Sequence, residues 1–378
     1  MRIAVLVSGG VDSAVVVDRL YREGHDLNLF YIRISNDNDE GGCSYEEDIE
    51  MCQLIASKYG LPLHEVSLHE EYWEYVMHYA LNTVKKGLTP HPDMMCNKII
   101  KFGFFEERWG KDFDKTATGH YASIKKDETG YYLATAKDPV KDQTDFLAQL
   151  SQSQLSHLLF PIGELPKDEV RKIAREAHLP NAGRKDSQGI CFLGKINYRD
   201  FIKRHIGVKK GDVVEIETGK KIGEHDGFWF FTIGQRKGLR LGGGPWFVVK
   251  KNIPENIIYV SKGYDTPLQY GKTINLTEPN WITIDPFKLQ DENKGDLLQS
   301  LNPKIDRNSD KNKIKVAFKI RHVPEFHSGT LITEGDGSNL TLESDDDIQG
   351  IAPGQYAIIY TPDEKICLGS ALITLNQN

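Results

Sequence analysis

The residues from Leu6 to Ser13, LVSGGVDS, lie between an apolar run of strand type, RIAVLV, and a stretch with helical spacing from Asp12 to Glu23. Gly9 and Gly10 let the backbone come close to an anion. Ser8 and Ser13 bring hydroxyl donors, and amides at a helix start add their own. Such a turn can cradle a phosphate. The competing reading is an ordinary glycine turn in which Asp12 or Ser13 caps the helix. Neither GxxxxGK[ST] nor GxGxxG occurs, which excludes the two commonest phosphate loops.

Sulfur offers the second chemistry. Cysteines stand at Cys43, Cys52, Cys96, Cys191 and Cys367, an odd number at wide spacing with no CxxC. That pattern fits neither a disulfide framework nor a compact zinc site, so no metal is expected and a functional cysteine would act as a thiolate. Cys96 lies in TPHPDMMCNKIIKFG, at an apparent helix start, with Lys98 close behind and Asp93 three residues ahead. A helix start and a cation favour ionisation, and Asp93 could move a proton. Cys191 lies in GRKDSQGICFLG, beside Gly189 and after Arg184 and Lys185. Taken alone, a loop cysteine such as Cys96 is more often inert than catalytic, and Cys191 reads as well as a small buried hydrophobe. Cys52 on an apolar helix face, Cys367 in a strand run and Cys43 beside an acidic loop read as structural.

Strands alternate with helices through the first part of the chain: RIAVLV, LNLFYIRI, LHEVSL and KTATGHYASI as strands, Tyr45–Tyr59 and Asp168–His178 as helices. This alternation predicts an α/β domain with a parallel sheet. Near residue 204 glycines, β-branched residues and aromatics take over. We expect three domains: 1–203, an α/β catalytic domain; 204–271, a small β domain; and 272–378, a β-barrel.

The net charge of −7 argues against a globally basic surface. Its distribution is uneven, however. Asp37–Glu50 holds seven acidic and no basic residues, whereas Phe201–Lys251 holds eleven basic against five acidic. The second stretch, with Arg236, Lys237 and Arg240, could attract a polyanion. No apolar run is long enough to span a membrane, and no secretory pattern is seen, so a cytoplasmic location is expected.

The SGGVDS turn resembles the pyrophosphate loop (PP-loop) of the ATP-pyrophosphatase superfamily. In order along the chain, SGGVDS, HPDMMCNKIIKFG, TGHYA, the KDQ of Lys141–Gln143, DSQGICFLG and FTIGQRKGL are together similar to the tRNA-specific 2-thiouridylase family. The resemblance implies an adenine-nucleotide α hydrolase-like PP-loop fold followed by two β domains. It implies ATP, with magnesium, at Leu6, Val7, Ser8, Gly9, Gly10, Val11, Asp12, Ser13, Ile32 and Gly119. It makes Cys96 the nucleophile, Cys191 the persulfide carrier and Asp93 an acid/base, with His91 and Pro92 shaping the base pocket. tRNA contacts fall to His91, Pro92, Asp93, His120, Lys141, Asp142, Gln143, Arg321, His322 and Gln355. Many relatives carry Met at the position of Ile32, Asn at that of His91 and an aromatic at that of His322. The implied partners are tRNA, read at its wobble uridine, and a sulfur donor such as a cysteine desulfurase or a sulfur-relay protein. A monomer is expected. Two other classes stay open: an amide-forming synthetase, and a non-catalytic tRNA-binding or sulfur-carrier protein. Release of AMP and pyrophosphate only in the presence of tRNA separates them.

Overall fold

The computed structural model describes residues 1–35, 45–185, 198–264, 266–289, 295–301, 304–305, 311–334 and 337–375. Cys43 and Cys191 lie outside the described residues.

The first strand, β1 (Arg2–Leu6), is apolar in its middle, and Ile3, Ala4 and Val5 are fully buried. A strand buried on both faces belongs in the centre of a parallel sheet. Its neighbours are β2 (Asp26–Arg33), followed by β3 (Leu63–Ser67), on one side and β4 (Lys115–Ala117) on the other. Next in the chain come β5 (Ser123–Asp127), β6 (Gly130–Ala134) and β7 (Leu158–Leu159). The sheet order is β3-β2-β1-β4-β7, parallel throughout. Helices α1 (Val11–Arg22) and α2 (Tyr45–Tyr59) carry Val15, Val16, Cys52 and Ile55 into the core shared with β1 and β2.

The fold departs from the sequence reading at KTATGHYASI. The run ends as a strand at Ala117, and its last residues open β5, which belongs to a different sheet. The β5–β6 hairpin docks on the C-terminal barrel through Ala134↔Ile366 and Leu133↔Cys367. Residues 1–203 therefore do not make a self-contained sheet system.

The central domain holds β8 (Gly211–Glu215), β9 (Lys221–His225), β10 (Trp246–Asn252) and β11 (Ile257–Lys262), in the order β10-β11-β8-β9. The barrel is built from β12 (Tyr270–Trp281), β13 (Lys304–Ile305), β14 (Lys311–Lys319), β15 (His327–Glu334), β16 (Asn339–Gln349), β17 (Tyr356–Tyr360) and β18 (Ile366–Ile373). Six of these close on themselves as β12-β16-β15-β14-β17-β18-β12, which removes free edges. β13 pairs outside the ring with β14. Among the described residues no helix is long and apolar enough to cross a membrane.

Candidate active site

The strand order reverses at β1, whose neighbours β2 and β4 lead outward in opposite directions. In an open α/β sheet the ligand crevice lies beyond the carboxyl ends of the strands at such a switch point. The turn Val7–Gly10 follows β1 there, and Thr118–His120 follows β4. A Cβ on Gly119 would stand 2.9 Å from the Ser13 amide nitrogen and 3.1 Å from the Asp12 carbonyl carbon. Only glycine lets the two turns approach this closely. Ile32, near the end of β2, is partly buried against the core that holds Ala4, Phe30 and Val66.

The loop itself is braced from behind. Gly9 has φ +70, and a Cβ there would meet Asp48 O at 2.8 Å and an Arg184 nitrogen at 2.9 Å. Its carbonyl accepts from Asn181 Nδ2 at 2.9 Å and from Arg184 Nη1 at 3.1 Å. Arg184 also pairs with Asp48. Gly10 caps α1 in extended backbone, and among the described residues a Cβ there would meet Ser8 Oγ alone, at 3.4 Å. The Ser13 hydroxyl accepts from the Ser8 amide and donates to Gly10 O. The first-turn amides of α1 have no acceptor within the helix. This donor set fits a pyrophosphate group.

Asp12 faces the other way. Its carboxylate takes Lys167 Nζ at 2.7 and 2.8 Å and the Tyr121 hydroxyl at 2.8 Å. Tyr121 is held in turn by Gln143, whose Oε1 accepts from the Tyr121 amide while its own amide donates to Tyr121 O. Asp12 and Gln143 thus brace the crevice with their side chains. The sequence reading missed Lys167, Asn181 and Arg184 as crevice residues. One signal was present: Lys167 opens the helix Lys167–Glu176, where a cation opposes the helix dipole.

Cys96 differs from expectation. The helix begins at Pro92, capped by His91, whose Nδ1 accepts from the Met94 amide. Cys96 is therefore one turn inside rather than at the exposed start, and it is 5% exposed. From Cys96 to Phe104 the helix takes wide π-type turns, a form that recurs at functional sites. Lys98 Nζ donates to Gln149 Oε1 at 2.9 Å, and burial lowers its pKa. Cys52 is fully buried, and burial pushes its thiol up to about 12. Burial likewise raises the Cys367 thiol. Both agree with a structural role.

His91, Asp93, Asp145 and His322 share one electrostatic neighbourhood. Burial lowers the His91 pKa against the opposing pull of Asp145 and Asp93. His120 packs between the Phe102 and Phe160 rings, with Nδ1 2.8 Å from Thr118 Oγ1. Burial, aided by Lys101, lowers its pKa well below the ordinary value, so the ring is neutral. Asp142 is turned inward. It is 3% exposed and paired with the equally buried Lys319 at 3.4 Å. Of the KDQ segment, Lys141 and Gln143 are partly buried, and the Gln143 side chain is held by the Tyr121 amide. Arg321 Nη2 donates to Gly350 O at 2.6 Å, and a Cβ on Gly234 would meet it at 2.8 Å. Gln355 stands just before β17, with its carbonyl accepting from the Ile373 amide.

A parallel sheet with a glycine turn at its switch point, feeding two β domains, defines a nucleotide-binding α/β enzyme with an appended barrel. Family models match the chain in three pieces: a tRNA methyl transferase HUP domain over residues 1–195, a tRNA methyl transferase PRC-barrel domain over 199–262 and an aminomethyltransferase beta-barrel domain over 296–373. Proteins called tRNA-specific 2-thiouridylase MnmA resemble it end to end. That of Porphyromonas gingivalis is 56% identical over 376 residues, 99% of each chain. That of Parabacteroides distasonis is 56% identical over 375 residues, also 99% of each. MnmA 1 of Bacteroides thetaiotaomicron is 54% identical over 375 residues, 99% of this chain and 100% of its own. The chain belongs to the tRNA-specific 2-thiouridylase family.

Proposed function

We propose that this protein uses ATP to replace the 2-oxygen of the wobble uridine in tRNA with sulfur, in the cytoplasm and as a single chain. The supporting observation is the pyrophosphate-fitting turn at the β1/β4 crevice in a chain that matches 2-thiouridylases over its whole length. Methyl transfer, the group named by two of the domain descriptions, would need neither this turn nor a pair of thiols.

A uridine 2-carbonyl carries no leaving group. ATP supplies one: the oxygen attacks the α-phosphorus and pyrophosphate departs. The amides of Gly10, Val11 and Asp12, with the Ser8 hydroxyl, would hold that pyrophosphate. Among the described residues no group of three or more His, Cys, Asp or Glu could hold a metal by itself, so magnesium would arrive with the ATP phosphates.

Cys191 would carry a persulfide delivered by a sulfur donor. Its outer sulfur attacks C2, and AMP leaves with the original oxygen. Cys96 then attacks Cys191 Sγ. The S–S bond breaks, sulfur stays on C2 as the thiocarbonyl, and a Cys96–Cys191 disulfide forms. A thiol reductant supplies the two electrons that reopen it. Asp93 would take or give the proton, and the neutral His91 ring would meet the base. The base must leave its stack to reach the site.

The test is nucleoside mass spectrometry of an unmodified tRNA transcript after incubation with protein, ATP and a persulfide source. 2-Thiouridine should form only when all are present, with AMP and pyrophosphate released in step. Nucleotide release without tRNA, or no thiolated base, would overturn the reading.

A further inference from the structure

Asp145 belongs to none of the motifs that carry the chemistry. It lies in the short turn Thr144–Leu147 of the catalytic domain, and its side chain is 3% exposed. One carboxylate oxygen accepts from the Phe146 amide at 3.0 Å. The other is 2.8 Å from Nδ1 of His322, which stands just past β14 of the barrel with 47% of its side chain exposed. A carboxylate this buried needs a charged or strongly donating partner, and the neighbouring Lys319 is engaged by Asp142. The His322 ring also lies against Phe146, centroids 4.5 Å apart, and Phe146 meets His91 edge-on at 5.5 Å. The imidazole is therefore fixed from two sides and linked by one ring to the residue before Pro92.

We propose that Asp145 is a positioning residue that holds His322 as an imidazolium whose remaining donor, Nε2–H, contacts a tRNA phosphate. A histidine bonded to a carboxylate through Nδ1 has its tautomer and orientation set, leaving Nε2 for an outside acceptor. His322 directly follows Arg321, so two cationic groups stand together where the barrel meets the other domains. The proposal rests on the tRNA reading, which supplies the polyanion. The hydrogen bond to Asp145 raises the His322 pKa, and the charges of Asp145 and Asp142 add to this; burial and Lys319 oppose it, with a net rise. His91 faces the same cluster with Asp93 beside it, and a charge on His322 disfavours one on His91. The sign follows: the phosphate is fully engaged at pH below the raised value and released as pH rises through it.

The experiment measures the dissociation constant of an unmodified tRNA transcript as a function of salt between about pH 6 and pH 8.5. For the wild-type protein the log–log salt slope should be steeper at the acid end. His322→Phe keeps the ring contact with Phe146 but removes the charge. It should lower the acid-end slope by about 0.7–0.9 and weaken binding there roughly tenfold. Asp145→Asn should move the midpoint of the pH profile to lower pH. His322→Lys should bind with little dependence on pH, and it keeps the test decisive should Asp145→Asn misfold. Identical slopes and profiles for wild type and His322→Phe would overturn the proposal. So would an unchanged midpoint in folded Asp145→Asn. Failure of the wild-type protein to bind tRNA at any pH would instead overturn the tRNA reading.

Discussion

Gly9 and Gly10 are adjacent glycines with different duties. Gly9 needs its left-handed backbone and lies against Asp48 and Arg184, whereas Gly10 is in extended backbone and, among the described residues, a Cβ there would meet nothing closer than Ser8 Oγ at 3.4 Å. Gly10→Val should therefore fold with an unchanged thermal transition and lose thiolation by at least about 100-fold, because its side chain would fill the place proposed for the pyrophosphate. Gly9→Ala should lose stability instead, by about 1–3 kcal/mol in denaturant unfolding. The two thiols divide in the same testable way. In Cys96→Ser, peptide mapping of enzyme loaded with sulfur should still find a persulfide on Cys191. Cys191→Ser should carry none there and should form no 2-thiouridine. A persulfide confined to Cys96 would reverse the roles.

At the scale of elements, the segment Asp142–Gln149 links the domains. Asp142 pairs with Lys319 of β14, the Thr144 hydroxyl bonds the Tyr360 hydroxyl of β17, and Gln149 Nε2 donates to Ser370 Oγ of β18. Lys319 also lies over the Phe326 ring at 4.1 Å. Removing one member of such a buried pair leaves a stranded charge. Asp142→Asn should cost about 3–5 kcal/mol in denaturant unfolding, and the double variant Asp142→Asn/Lys319→Met clearly less. Equal costs for the single and double variants would mean that the two charges do not depend on each other. The β5–β6 hairpin adds to this link by joining the barrel directly. The barrel is thus linked through this segment to Gln143, Tyr121 and Asp12, which brace the glycine turn after β1.

Across the whole molecule, all three domains meet at the loop that precedes His91. Lys251 of β10 donates to Gly87 O at 2.8 Å, Thr89 Oγ1 donates to Thr232 Oγ1, and the Thr89 amide donates to Pro353 O of the barrel. Burial lowers the Lys251 pKa to about 8. The folded state then binds fewer protons than the unfolded chain between that value and the ordinary lysine value of about 10.4. Stability should rise with pH across that window, with a Lys251 contribution of at most about 1.4 kcal/mol per pH unit. Lys251→Met should flatten the stability–pH curve there and nowhere else. The basic surface of the central domain is a separate matter. Arg236, Arg240, Trp246 and Tyr264 line an open cleft of about 340 Å³. Replacing Arg236, Lys237 and Arg240 with Gln should lower the salt slope of tRNA binding by about 0.7–0.9 for each phosphate no longer neutralised, with ATP affinity little changed. An unchanged slope would place the footprint elsewhere.

Much of this architecture was legible in one dimension because its causes are local. The apolar run of β1, the glycines after it and the periodicity of α2 depend on neighbours a few residues apart, so the parallel sheet and the glycine turn after β1 could be read directly. The order of six motifs carried the family. Other features depend on residues far apart in the chain and could not be read. KTATGHYASI splits between two sheets because β6 finds its partner in β18, more than 200 residues later. Lys167, Asn181 and Arg184 join the crevice only when their segments fold back on Gly9 and Asp12. The depth of Cys96 follows from the helix starting at Pro92 under a His91 cap, and the inward turn of Asp142 from a lysine 177 positions away. Local pattern determines which elements form. Burial, charge pairing and the Asp145 carboxylate against His322 are properties of the neighbours that an element meets, and the tertiary structure alone decides those.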